Sequence, residues 1–305
     1  MKKIKKNLII VLAMIFISTY LFNSTITEEI RKARMFSFLQ LIFLISILLV
    51  MYLLSGIEWR MIINYFYNIR VRALDLLLIP ITSNLFSFII PIQGSTVYTM
   101  FVFKRKYGIN YLSTVGLSLI SAAVNIFLFL ISLTIIVYKE SLNIEFYKEF
   151  LFLIPISAII LLNKKIKNYA LKFLRIVLET ISKVSFKLII SLVVINMINI
   201  GVSTVFYYYL SIFLGYTFSL ISIIFLVMIS RVSIYLKLTP GGIGIQEVIT
   251  NLLFVSLLMN GSQAASVIFY GRAISLIPML IVGPLDIIFK SLSISEIKSF
   301  KNEVK

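Results

Sequence analysis

Residues 217–260 read TFSLISIIFLVMISRVSIYLKLTPGGIGIQEVITNLLFVSLLMN. Apolar side chains fill both flanks of Thr239-Pro240-Gly241-Gly242-Ile243-Gly244, and the whole stretch carries only Arg231, Lys237 and Glu247 as charges. Runs of about 20 apolar residues are what the ~30 Å hydrocarbon core of a bilayer demands. The break in the middle matters as much as the run. Pro removes a backbone donor and Gly loosens the chain, and backbone groups freed inside a membrane are tolerated only where protein lines a cavity.

The rest of the chain follows the same plan. Of its 305 residues 60% are hydrophobic, and the mean hydropathy is +1.04, far above soluble usage. Uninterrupted spans are read at 8–23, 36–56, 111–138, 150–163, 188–213 and 263–288, and a second broken run covers 73–103, interrupted at Pro91 and Gly94. The expected fold is all-α, a polytopic transmembrane helix bundle of about 8 membrane helices. Residues 1–305 then form a single integral membrane domain, with no soluble domain.

Charge sets the orientation. The net charge is +17, from 29 Lys and Arg against 12 Asp and Glu, and the excess sits in the connections. Segment 164–187 has Lys164, Lys165, Lys167, Lys172, Arg175, Lys183 and Lys187 against Glu179, whereas 139–149 has two Lys and three Glu. By the positive-inside rule the first is cytoplasmic, together with Lys104-Arg105-Lys106 and the tail, and the second is outside. Arg31, Lys32 and Arg34 outweigh Glu28 and Glu29 in 24–35 and run against this scheme. Lys2, Lys3, Lys5 and Lys6 precede the first span, and 17–24 offers no small-x-small cleavage pattern, so a retained span is expected. The expected location is the cell (inner, cytoplasmic) membrane, with both termini cytoplasmic. Residues 57–72, which mix Trp59, Tyr65, Phe66 and Tyr67 with Arg60, Arg70 and Arg72, suit an interfacial helix or an aromatic belt at a span's end.

Composition also excludes chemistry. There is no Cys and no His, which removes disulfides, thiolate nucleophiles, imidazole bases and the usual zinc sites. No metal or cofactor is expected. The basic residues are divided by membrane spans and build no extended face for nucleic acid; anionic lipid headgroups remain fitting partners.

The two broken runs echo each other. Pro91 and Gly94 are followed by Gly108 and the small residues Ser113, Thr114, Gly116, Ser118, Ser121, Ala122 and Ala123; the 239–244 break is followed by Gly261, Ser262, Ala264, Ala265, Ser266, Gly271 and Ala273. If each broken run is a re-entrant pair, halves 36–138 and 188–288 are inverted repeats, a recurrent transporter plan. If Pro and Gly only kink full spans, there are eight or ten helices and no such symmetry.

Arg231 and Arg272 lie inside apolar runs, where ionisable groups usually face the bundle interior and mark a pathway; snorkelling beside Lys237 is the plainer alternative for Arg231. Gly241, Gly242 and Gly244 can bare backbone N–H groups toward an anion such as a lipid phosphate. The stretch lacks the Gly-Lys-Ser/Thr ending of a nucleotide loop. Glu247 is placed to pair with Arg231 or Arg272, or to take a substrate ammonium or a coupling proton. Asp286 reads as a surface residue, Asp75 as a helix cap, and Tyr207, Tyr208 and Tyr209 as interfacial anchors.

Pro240, Gly241, Gly242, Gly244 and Glu247, followed by Gly261 and Arg272, form a pattern that resembles the transmembrane region of the lysylphosphatidylglycerol synthase/flippase family and its stand-alone relatives. Pro91 and Gly94 are similar to the family's earlier Pro-Gly element. The resemblance implies a flippase-like protein that moves an aminoacylated or other anionic phospholipid between leaflets. Full-length members add a soluble aminoacyl-transferase domain; Lys305 follows the last span closely here, so lysine transfer is not expected of this chain, and a separate soluble transferase is a candidate partner. The substrate-binding residues implied are Pro240, Gly241, Gly242, Gly244, Glu247 and Arg272, to which the charge inside an apolar run adds Arg231, with Pro91 and Gly94 secondary and no catalytic residue. The alternative is an intramembrane enzyme or accessory factor for polyprenyl-linked or lipid-linked glycans, which shares the need to grip a phosphate but lacks a visible pair of acids.

Overall fold

The computed structural model describes residues 36–89, 94–109, 111–139, 184–233, 247, 249–251, 254 and 260–289. Among these it is all helix: α1 (Phe38–Tyr67), α2 (Ala73–Ile89), α3 (Gly94–Tyr107), α4 (Tyr111–Lys139), α5 (Phe186–Phe213), α6 (Leu220–Ser233) and α7 (Gly261–Phe289). Glu247, Thr250 and Phe254 lie on further helix and are all buried, as spacings of three and four residues on one face require. The spans expected at 8–23 and 150–163, Pro91, and Pro240 to Gly244 lie outside the described residues.

Helices α1, α4, α5 and α7 each hold a stretch long and apolar enough to cross a bilayer. Burial shows which solvent they face. On α5, Asn196, Asn199 and Ser203 are buried, while Val194, Met197, Ile198 and Val205 are exposed. That is the reverse of a water-soluble helix. Polar side chains turn inward and apolar ones outward only when the surroundings cannot hydrogen-bond. Leu280, Ile281, Leu285 and Ile288 on α7 and Phe127, Leu130 and Ile131 on α4 continue the apolar exterior. The chain is a multi-pass membrane protein.

Local signals set several boundaries. Ser37 and Gln40 close a capping box at the start of α1, satisfying two of the helix's orphan donors. Asn68, with φ 52°, ends it in the left-handed conformation that Asn tolerates better than most residues. Residues 57–67 are therefore the last turns of one 30-residue helix; no separate interfacial helix starts after residue 56. Rigid continuation holds Glu58 inside the bundle, where it is 8% exposed.

Helices α1 and α5 pack side by side and antiparallel, since Phe43 meets Tyr209, Ser55 meets Asn199, Glu58 meets Asn196 and Tyr65 meets Ser185. Helix α2 crosses α1 so closely at Gly56 that a Cβ there would lie 1.8 Å from the Leu76 carbonyl oxygen. Helices α2 and α3 form a hairpin whose outer ends meet: Asp75, in the first turn of α2, accepts hydrogen bonds from Lys106 and from Tyr107 at 2.6 Å, both in the last turn of α3. At 1.5 Å per residue the two helices reach only about 25 and 21 Å, short of a ~30 Å core. The start of α2 and the end of α3 thus lie on one side of the bundle. Asp75 is thus an ion-pair partner of Lys106, a larger role than helix capping.

Candidate functional site

Two apolar clusters hold the bundle together. One gathers Ile62 and Ile63 of α1 with Leu188 and Leu192 of α5; the other gathers Leu44, Leu48 and Tyr52 of α1 with Phe206 and Leu210 of α5. Between them the inner stripe of both helices turns polar, at Ser55 and Glu58 on α1 and at Asn196, Asn199 and Ser203 on α5. A cavity of about 340 Å³ opens there, walled also by α2, α4, α6 and α7. Its size falls in the range of small-ligand sites, and its lining is unusual for a membrane interior: one carboxylate, two guanidinium groups, four Asn side chains and several hydroxyls.

The two arginines arrive from different helices. Arg231, in the last turn of α6, donates to Asn125 Oδ1 at 3.3 Å and to Ser203 Oγ at 3.2 Å. These bonds tie α6 to α4 and α5, and they make snorkelling the poorer account of its position. Arg272, on α7, donates from Nη1 to both oxygens of Glu247, at 3.1 and 3.4 Å. Glu247 is 2% exposed, and a carboxylate so placed costs several kcal/mol, on the order of the penalty for a buried ion, unless a cation meets it. Arg272, one of the two partners expected for Glu247, thus makes a direct ion pair with it. Gly271, beside it, faces Tyr207, and an added Cβ would stand 3.0 Å from that ring.

Glu58 sits near the other end of the lining. Asn196 Nδ2 donates to Glu58 Oε1 at 3.0 Å and to the Leu192 carbonyl at 3.0 Å, and Asn199 Nδ2 donates to Ser55 Oγ at 3.3 Å. A smaller cavity of about 190 Å³ shares Ser55, Trp59 and Asn84 with the first and continues between α2, α3 and α4, lined by Ser83, Ser95, Thr96, Thr99, Thr114 and Ser118. A hydroxyl-rich route thus leads from the cavity into the α2–α3 hairpin.

Of the residues singled out in the sequence, Arg231 and Arg272 line the cavity, Glu247 stands behind Arg272, and Gly94 opens α3 as a buried residue. Two readings are corrected. Asp286 is fully buried and accepts from Thr82 at 2.9 Å and Tyr98 at 2.5 Å, so it locks α7 to α2 and α3 instead of facing an interface; its donors lie far away in sequence, and a charge near a span's end looks the same either way. Tyr207 lines the cavity, while Tyr208 and Tyr209 are the exposed pair, because neighbours on a helix point 100° apart. Glu58, Asn84, Asn125, Asn196 and Asn199 were not picked out. The signal available was a polar residue at i, i+3 and i+7 in an otherwise apolar span, as at Asn196, Asn199 and Ser203.

No curated protein and no solved structure gives a match to the chain. Residues 6–283 match the family model described as the lysylphosphatidylglycerol synthase TM region. That match covers every residue that lines the cavity, so the chain belongs to the lysylphosphatidylglycerol synthase transmembrane-region family.

Proposed function

We propose that this protein is a flippase-like membrane protein that carries an aminoacylated or other anionic phospholipid between leaflets, holding the headgroup in the polar cavity while the acyl chains stay in lipid. The observation that supports this most is the placement of Arg231 and Arg272 on one cavity inside an apolar bundle. Guanidinium groups suit phosphate oxygens, which they grip through paired N–H donors. The exposed apolar faces of α4, α5 and α7 give the chains a continuous lipid contact. Glu247 balances Arg272 and holds its planar fork in place.

In this reading 36–138 and 188–288 are inverted repeats that rock against each other and expose the cavity to one side at a time. The packing supports it: α2 of the first half lies on α7 of the second, and α6 of the second lies on α4 of the first. The protein sits in the cell membrane with its termini cytoplasmic, on the side of the exposed Lys104 and Arg105. A separate soluble transferase supplying the aminoacylated lipid fits this role.

The test is the sidedness of labelled anionic, lysylated and polyprenyl-phosphate lipids in proteoliposomes, with Arg272→Ala as the control. Faster crossing of one lipid class, reduced at least about tenfold by the substitution, is expected. No crossing above empty vesicles by a correctly inserted protein would turn the reading to an enzyme or accessory factor acting on lipid-linked glycans.

A further inference from the structure

The hydrogen-bond directions around Glu58 leave two buried amide oxygens without a donor, on residues that line the cavity. Asn196 Nδ2 has two acceptors, Glu58 Oε1 and the Leu192 carbonyl, which fixes the amide so that Oδ1 is the other end. Ser55 gives its own proton to the Met51 carbonyl at 3.0 Å, so its oxygen must accept from Asn199, and the Asn199 amide is fixed in the same way. Asn196 Oδ1 and Asn199 Oδ1 are fully buried and have no hydrogen-bond partner among the described residues. Both residues line the cavity beside Glu58 and Ser55, and their i, i+3 spacing puts them on one face of α5. Asn199 lies at the middle of that 28-residue span, where buried acceptors are most costly.

We propose that Glu58, Asn196 and Asn199 form a binding site for one compact monovalent cation, either a free alkali-metal ion or the ammonium group of a bound lipid. One carboxylate with two neutral amide oxygens balances a single positive charge. Among the described residues no three acidic or other metal-binding side chains come together, which disfavours divalent ions, since these draw on more carboxylates and waters. The site lies about 10 Å along α5 from Ser203, which holds Arg231, by the rise of seven residues. The cavity is thereby bipolar, with an anion-gripping end and a cation-gripping end. The ammonium case rests on the flippase reading; the free-ion case does not.

Purified protein in phosphatidylglycerol nanodiscs is melted in rising Na⁺ or K⁺, replaced by N-methylglucamine at constant ionic strength, and again in discs containing lysylated phosphatidylglycerol. A saturable rise in Tm with the alkali ion is expected if the site takes free ions, and a rise with the lysylated lipid that suppresses the ion response if it takes the ammonium. In either case Glu58→Gln weakens the apparent affinity at least about tenfold, as loss of a charge-assisted partner should. Asn199→Ala, which leaves the Glu58–Asn196 pair intact, weakens it as well and decides the matter should Glu58→Gln fail to insert. A wild type indifferent to both cations, or variants that respond as the wild type does, would overturn the site. Cation binding without lipid crossing would leave the site standing and remove the flippase reading instead.

Discussion

Residues 36–139 and 184–289 bring different charges to one cavity. The first contributes α1 to α4, and the second contributes α5, α6, the helical residues at 247, 249–251 and 254, and α7. Helices α1 and α5 meet at the centre, and each half lends its short helix to the other half's last long one. The charged side chains are distributed unequally. The second half brings Arg231, Arg272 and Glu247, while the first brings Glu58 with Asn84 and Asn125. Both guanidinium groups of the cavity lining thus come from α6 and α7, and its one carboxylate from α1.

Four experiments probe this comparison. The largest effect is expected for Gly56→Ala, since the new Cβ would collide with the Leu76 backbone. A loss of at least ~3 kcal/mol, the upper end for overpacking, should show as failure to accumulate folded protein or a sharply lowered Tm. Next is Asp286→Ala, which strands Thr82 and Tyr98 in the interior and should cost about 2 kcal/mol, read by thermal unfolding in detergent. It loosens the contact between α2 and α7 and so tests whether the halves depend on their exchanged helices. A double-mutant cycle of Arg272→Ala and Glu247→Ala should return a coupling of about 1 kcal/mol, since polar pairs within membranes are worth less than their geometry suggests; zero coupling would mean that Arg272 is held by something else. The smallest change belongs to Gly201→Ala on α5. No described atom lies within 4 Å of the added Cβ, so the gain in helix propensity, up to ~1 kcal/mol, should leave Tm unchanged or slightly raised, in contrast to Gly56 on the matching helix.

The sequence carried the fold because lipid imposes a coarse rule. Apolar length marks a span, and the runs 188–213 and 263–288 match α5 and α7 to within two residues at each end. Pro91 and Gly94 likewise marked the division between α2 and α3. The cavity lining was legible where a charge interrupted an apolar run, as at Arg231 and Arg272. It was obscure where the polar group was neutral or stood beside an apparent boundary. Asn196 and Asn199 look like ordinary interruptions of a hydrophobic helix, and Glu58 follows the point where hydropathy falls, so it was absorbed into an interfacial segment. Long-range partners decide such cases: Asp286 is buried because Thr82 and Tyr98 reach it from helices that close a hairpin, and no local pattern encodes that meeting.

The central claim is that the polar interior is an accessible headgroup cavity and not merely a set of interhelical locks. The chain contains no Cys, so single substitutions report without interference. Ser121 lines the cavity on α4, and Phe127, 56% exposed, faces outward on the same helix. In proteoliposomes, Ser121→Cys should react with a small charged methanethiosulfonate reagent, and anionic phospholipid should slow that reaction, while Phe127→Cys in the lipid-facing position should stay unreactive. A Ser121→Cys protein that inserts and melts like the wild type yet reacts no faster than Phe127→Cys would contradict the account.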